Sequence, residues 1–423
     1  MPGHQVCKGS TEATRRDFIR RVGTAAAGVA AGLQTARPAR AQAAGANERL
    51  GVGLIGCGGR MGAHTDVLLG LKNEGRPLDI VAVCDIYTPR IEAAVQRTGG
   101  KAYRDHRELL ADPNVDLVCI ATPDRHHGPQ AIDAVLAGKD AYVEKPLVHW
   151  QQFDVIKQLC HLVEKQGRIV QAGTQRAAHS IWRQARALIE QGAIGKPVHA
   201  QCGYFRQGDW GERGMPILDP NAKPGPDLNW EAFLGDAPQR PFDVSRFFRW
   251  RMYLDYAGGP PTDLYPHFLT PMAIALGTGF PTRCCGAGGK LFYDHEREVP
   301  DTVNILCDYP EGLTVAMLGT QVNAREAETC IRGSDATIVF EGPGLRIYPA
   351  DGNLQPKQEV AAEAPGDCRE LWINFLDCVQ SREQPWSNVR LQYTVQTALN
   401  MGMLSLLEGK MAHFDAEKER IRL

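Results

Sequence analysis

Apolar runs at residues 50–55, 80–84, 116–121, 141–143 and 169–172 punctuate the first half of the chain, each stopped by glycine, aspartate, threonine or glutamate. The runs are continuous rather than alternating, which predicts strands buried on both faces. A helical stretch at 129–136 lies between two of them. Strand and helix in alternation predict an α/β fold with a doubly wound parallel sheet. Further on, residues 198–205, 302–309 and 313–318 read as strands of a second, α+β domain, and the stretch from Cys368 reads as mostly helical. The expected partition is a nucleotide domain at 44–168 and a second domain at 169–423.

The first strand runs into Gly56-Cys57-Gly58-Gly59-Arg60-Met61-Gly62, followed by the start of a helix. Glycines let a pyrophosphate approach the backbone, and the helix N-terminus offers it free amides and partial positive charge. The second strand ends on Asp85, a carboxylate suited to the ribose hydroxyls of NAD and repulsive to the 2′-phosphate of NADP. NAD is therefore the favoured cofactor, with NADP left open. Met61 stands where a third glycine is usual, and the gap to Asp85 exceeds the roughly twenty residues of the common fingerprint.

A chain of 423 residues, 43% hydrophobic and with a net charge of −2, can bury two cores and has no basic stripe for nucleic acid. Beyond the N-terminus no apolar run is long enough to span a bilayer. The N-terminus carries Arg15-Arg16, a weakly apolar stretch at 22–33 and Ala41-Gln42-Ala43. This resembles a twin-arginine export signal covering 1–43, and a periplasmic location is the expectation. The twelve cysteines include no C-x-x-C pair, so neither a zinc site nor a redox dithiol is expected, and the thiols within strands read as small buried hydrophobes.

Several further motifs join the glycine turn: Ala121-Thr122-Pro123, Glu144-Lys145-Pro146, Gly173-Thr174-Gln175, and Gly258-Gly259 ahead of Asp263 and His267. Together with Asp301-Thr302-Val303, Tyr309-Pro310-Glu311-Gly312-Leu313 and residues 372–377, they resemble the glucose-fructose oxidoreductase and inositol dehydrogenase (Gfo/Idh/MocA) family over nearly all of the chain after the leader. The resemblance implies a Rossmann domain followed by a domain with a large open, mostly antiparallel sheet that carries the substrate and commonly a homo-oligomer interface. It implies cofactor contacts from Gly56, Gly58, Gly59, Arg60, Met61, Asp85, Thr122, Pro123, His127, Glu144 and Lys145. His126 is expected to point elsewhere.

Oxidising a carbinol requires a base for the hydroxyl proton and a donor to steady the alkoxide. Lys145, at the end of a strand and before Pro146, is the candidate donor. Asp263 and His267 are four apart and would share one helix face, with Pro266 in the first turn. That spacing alone is also compatible with a capping aspartate and a core histidine. The upstream glycines, placed as the family has them, favour His267 as the base and Asp263 as its orienting carboxylate. Gln175 and Arg176 are candidate substrate contacts or a polar strand end, and Trp210, Trp230 and Tyr256 are sugar-stacking or core aromatics. The glycine-, proline- and tryptophan-containing stretch 207–229 reads as a loop over the site. Leu264 and Tyr265 are bulky where the family often has glycine, which suggests an altered pocket shape.

The leading expectation is an NAD(P)-dependent oxidoreductase acting on a sugar, cyclitol or glycoside. The family also implies a redox-neutral glycosidase alternative, in which oxidation, elimination and re-reduction leave NAD unchanged. A third is a nucleotide-binding relative without catalysis.

Overall fold

A computed structural model describes residues 49–208 and 215–423. The leader read at 1–43 and Trp210 lie outside the described residues. Six strands, β1 (Leu50–Ile55), β2 (Leu78–Cys84), β3 (Lys101–Tyr103), β4 (Leu117–Ile120), β5 (Asp140–Val143) and β6 (Val170–Ala172), form a wholly parallel sheet in the order β3-β2-β1-β4-β5-β6. Alternate residues feed two separate cores. Val52, Leu54, Leu117 and Cys119 face one side with Leu68 and Leu71, whereas Ile55, Val118 and Ile120 face the other with Ala131, Ile156 and Leu159. Burial on both faces explains the uninterrupted apolar runs.

Helices α1 (Gly59–Asn73), α2 (Thr88–Thr98), α3 (His106–Leu110), α4 (Asp124–Leu136) and α5 (Phe153–Gln166) connect its strands and pack on it. Helix α4 begins five residues ahead of the expected start at 129, so Pro129 lies inside it. Proline leaves the Arg125 carbonyl without its helical donor. The Gln152 Nε2 amide supplies one at 3.0 Å.

The second sheet has ten strands: β7 (Pro197–Phe205), β8 (Arg283–Gly289), β9 (Thr302–Tyr309), β10 (Leu313–Thr320), β11 (Cys330–Gly333), β12 (Ala336–Glu341), β13 (Gly344–Pro349), β14 (Gln358–Ala361), β15 (Ala412–Asp415) and β16 (Arg420–Arg422). Their order is β14-β13-β12-β11-β7-β10-β9-β8-β15-β16, antiparallel except where β7 runs parallel to β10. Among the described residues the later α-helices are α6 (Ile181–Glu190), α7 (Trp230–Leu234), α8 (Val244–Phe248), α9 (Pro260–Asp263), α10 (Pro266–Leu276), α11 (Cys368–Ser381) and α12 (Val389–Glu408). Apolar residues of α6, α10 and α12 fill the core against one face of the sheet.

Three expectations are revised. The boundary at 168 falls one strand too early, because β6 pairs with β5 at the edge of the first sheet. Helix α11 packs Leu371, Trp372 and Phe375 onto that same sheet although it comes late in the chain. The single helix expected through Asp263 and His267 is broken, since Pro266 cannot donate and starts α10 anew while Leu264 leaves helical φ at −114°. Leu264 and Tyr265, the two bulky residues there, belong to the second-sheet core, with the Tyr265 hydroxyl donating to the Val303 carbonyl. Neither lines the cleft, so their bulk does not shape it.

Candidate active site

A cleft of about 1030 Å³ opens beyond the carboxyl ends of β1, β2, β4 and β5, and it runs from Gly56 to His267. At its inner end Gly56 has φ +85°, and a Cβ there would lie 2.7 Å from Thr122 Cγ2 and 2.8 Å from the Thr122 nitrogen. Gly56→Ala is therefore expected to lower stability by about 1–3 kcal/mol and weaken NAD binding, because both the φ and the contact oppose a side chain. Thermal unfolding and NAD titration check this together. Gly58 and Gly59 face the cleft at the start of α1, and no atom lies within 4 Å of a Cβ built on Gly59. That open backbone fits a pyrophosphate.

Met61, expected among the cofactor contacts, points the other way. It is 2% exposed and packs in the core with Leu68 and Leu71, because its place on α1 faces the sheet. The missing third glycine therefore leaves the cleft lining intact. Asp85 lies in the cleft and accepts the backbone N–H groups of Cys57 at 2.7 Å and Tyr87 at 3.0 Å. Each oxygen keeps a lone pair for a ribose hydroxyl. Arg90, which the sequence did not single out, adds a guanidinium laid over Tyr87, Phe247 and Phe248.

Glu144 sits at the end of β5 and is the hub of a buried network. Its Oε1 accepts from Arg60 Nε at 2.7 Å, His64 Nε2 at 2.9 Å and Gln175 Nε2 at 3.3 Å, and its Oε2 accepts the Lys145 N–H at 3.2 Å. Trp372 on α11 donates its indole N–H to His64 Nδ1 at 2.9 Å, which leaves the His64 proton on Nε2, directed at Glu144. Burial works to raise the Glu144 pKa, but Arg60 and His64 hold it well below the usual carboxylate range. Gln175, a candidate substrate contact, is turned into this network.

Lys145 reaches across to the second domain, where Nζ donates to the Asp263 carbonyl at 2.6 Å and to Oδ1 at 2.8 Å. Arg251 Nε meets the same Oδ1 at 3.3 Å. Burial opposes the Asp263 charge, but Lys145 and Arg251 keep the group ionised well below its ordinary range. Asp263 therefore holds Lys145 rather than orienting His267. Among the described residues the His267 ring makes no hydrogen bond, and burial together with nearby Lys145 pushes its pKa down to about 3. The ring is neutral at working pH and open toward the cleft.

His127 is 2% exposed and bridges the Thr122 and Pro146 carbonyls at 2.7 Å each. Burial pushes it down to about 4 despite those two acceptors, so the neutral ring donates to one of them and ties the loop after β4 to the loop after β5. His126, expected to face elsewhere, also lines the cleft, where its Nε2 engages the Phe233 carbonyl at 2.7 Å.

The far wall comes from residues 215–257. Met215, Pro216, Leu218 and Asn229 line the cleft, as expected of the loop, and Phe233, Phe247, Phe248 and Trp250 join them. This aromatic cover is tied to the nucleotide domain by Arg125 Nε to Asp236 Oδ1 at 2.6 Å and by a β-bridge between Tyr87 and Leu228. Tyr256 is fully buried in the cover against Phe233, away from the cleft, and Trp230 stacks on Phe233 while donating to the Arg240 carbonyl. Both aromatics took the core alternative. Arg176 is exposed beside the cleft over the Phe268 ring.

Asp124 is a second residue the sequence reading passed over. It is 2% exposed and accepts from Thr262 Oγ1 at 3.2 Å, and Thr262 Oγ1 in turn accepts the Gly258 N–H at 2.9 Å. Burial pushes Asp124 up to about 7, against the pull of Arg251 and Lys145. The native state thus keeps a proton that the unfolded chain has lost, and this group makes stability fall as pH rises from about 4 to 7. Asp124→Asn is expected to flatten that part of the Tm against pH curve and to raise Tm at pH 8 relative to the parent. Parallel curves for the two proteins would contradict it.

Order β3-β2-β1-β4-β5-β6, the glycine turn and the acid after β2 define a dinucleotide-binding domain joined to an open-sheet domain. The chain belongs to the Gfo/Idh/MocA oxidoreductase family: residues 50–174 match its NAD-binding Rossmann fold and residues 179–422 its C-terminal alpha/beta domain. Inositol 2-dehydrogenase of Rubrobacter xylanophilus is 30% identical over 166 residues, which are 39% of this chain and 46% of that protein. Glycosyl hydrolase family 109 protein 1 of a Shewanella species is 28% identical over 234 residues, 46% of this chain and 47% of that protein. The chain spans less than half the length of these curated relatives. Levoglucosan dehydrogenase, solved with NADH and levoglucosan, shares the fold with a TM-score of 0.67 at 17% identity, covering 86% of this chain and 99% of that one. The WlbA dehydrogenase of Bordetella pertussis, solved with NADH and UDP-GlcNAcA, has a TM-score of 0.65 at 18% identity, covering 87% and 99%.

Proposed function

We propose that the protein is an NAD-dependent oxidoreductase moving a hydride between the nicotinamide and a hydroxyl-bearing carbon of a sugar, cyclitol or glycoside. The observation that carries this reading is the meeting of Lys145, clamped by Asp263, with a neutral and unbonded His267 at the end of a cleft whose other end fits a dinucleotide. NAD bound there supplies the hydride acceptor. His267 takes the hydroxyl proton, and its low proton affinity is offset as the substrate's developing charge raises it. Lys145 steadies the alkoxide while Asp263 keeps the ammonium in place. The aromatic cover keeps water from that end of the cleft.

The inositol and levoglucosan dehydrogenases among the relatives support a cyclic polyol or sugar as substrate. The resemblance of 1–43 to a twin-arginine signal supports export with the nucleotide already bound, and family likeness supports a homo-oligomer. Among the described residues no helix is long and apolar enough to cross a membrane. The partial likeness to a glycosyl hydrolase does not favour redox-neutral cleavage over net oxidation.

The test is to denature the purified protein lacking its leader, quantify released NAD(H) and NADP(H), and follow the intact protein at 340 nm with sugars, inositols and aryl glycosides. Bound or bindable NAD with sugar-dependent reduction supports the proposal. Glycoside cleavage without net reduction favours the redox-neutral route, and no affinity for either nucleotide overturns both.

A further inference from the structure

The substrate end of the cleft holds more cationic donors than carboxylate acceptors. Lys145 and Arg251 both line it and share the single Asp263 carboxylate. Glu144 offers no further anion, because Arg60 and His64 hold it. Asp124 stands behind Thr262 and does not line the cleft.

Arg251 is only half used. Its Nε faces Asp263, but Nη1 meets nothing better than the Met215 thioether at 3.2 Å, and among the described residues no oxygen accepts from either Nη. A thioether is a weak acceptor. The guanidinium carbon lies 4.3 Å from the centre of the Trp250 ring, and that contact together with the Asp263 bond restrains the free edge. Its side chain is 22% exposed, which makes unfilled donors costlier than on an open surface. Arg176, next in sequence to cleft-lining Gln175, lies 4.0 Å from the Phe268 ring centre, and its guanidinium has no hydrogen-bond partner among the described residues.

An ordered arginine edge facing a cleft matches a planar carboxylate, which can take two parallel N–H bonds. We propose that the hydroxyl-bearing substrate also carries a carboxylate, as in a uronic or aldonic acid, received by the free edge of Arg251 with Arg176 adding positive field at the entrance. This rests on the oxidoreductase reading of the same cleft. A neutral sugar would leave the Arg251 edge unfilled, and that difference is the source of discrimination.

The test uses NAD-loaded protein titrated calorimetrically with matched pairs, glucuronate against glucose and galacturonate against galactose, with glucose 6-phosphate as a phosphate arm. At least one acid is expected to bind tighter than its neutral partner by ten-fold or more. Arg251→Gln is expected to reduce that ratio roughly 10- to 100-fold, and Arg251→Lys, which keeps charge but not the fork, to restore it only in part. A purely structural role for Arg251 would weaken acid and neutral sugars alike. Equal or weaker binding of every acid, or preference for the phosphate, overturns the inference. Absorbance at 340 nm is read in the same cell. Acid binding without any NADH removes the oxidoreductase reading and leaves the carboxylate site standing, whereas NADH from neutral sugars with no preference for acids does the reverse.

Discussion

Lys145→Met is expected to lower kcat by about a hundred- to a thousand-fold while leaving NAD affinity within a few-fold of the parent. Methionine keeps the length of the stem and removes the ammonium that Asp263 positions through two oxygens. Asp263 retains Arg251, so the change removes the donor without leaving a carboxylate wholly unpaired. Steady-state kinetics on the best substrate of the sugar panel, with NAD titration in parallel, check it. An unchanged kcat would mean that Lys145 only ties the two domains together.

Glu144→Ala should be the most destabilising single change near the cleft, by roughly 3 kcal/mol, since it strips partners from buried His64 and from Arg60 at once. Arg60 keeps the figure at the low end because a third of its side chain is exposed and can hydrate. Glu144→Gln should lose less, as an amide oxygen still accepts from one of the two. Chemical unfolding of the three proteins gives the order parent, Gln variant, Ala variant. Trp372 feeds the same network through His64, so Trp372→Phe should lower stability in the same direction though by less.

The parts of this protein that were legible in the sequence are those whose meaning is local. The glycine turn after β1, Asp85 at the end of β2 and Lys145 at the end of β5 each follow from a run of apolar residues and what stops it. The stretches 198–205 and 302–309 fall within one residue of β7 and on β9.

What escaped depends on approach between distant segments. Arg60 and Glu144 are 84 positions apart, Lys145 and Asp263 118, and His64 and Trp372 308. No periodicity in one chain reports such meetings. Spacing also misled at Asp263 and His267, where Pro266 splits the helix but the two short pieces still bring both residues to the cleft. Tyr256 shows the opposite failure. As an aromatic it suits either a sugar face or a core, and packing against Phe233 turns the ring into the cover. Arg251 lies outside every motif, and Asp124, though it follows Thr122-Pro123, has nothing in its local sequence to set it apart; their shared proximity to Asp263 marks both.

In the proposed reaction hydride leaves a carbinol carbon for the nicotinamide within this cleft. The most direct measurement takes the sugar that gives the largest rise at 340 nm, labels its carbinol carbons with deuterium one at a time, and weighs the NADH recovered after a single turnover. The expected NADH is heavier by one deuterium for one labelled position alone. Label found only in solvent or kept wholly on the sugar, with NADH unlabelled from every position, would contradict it.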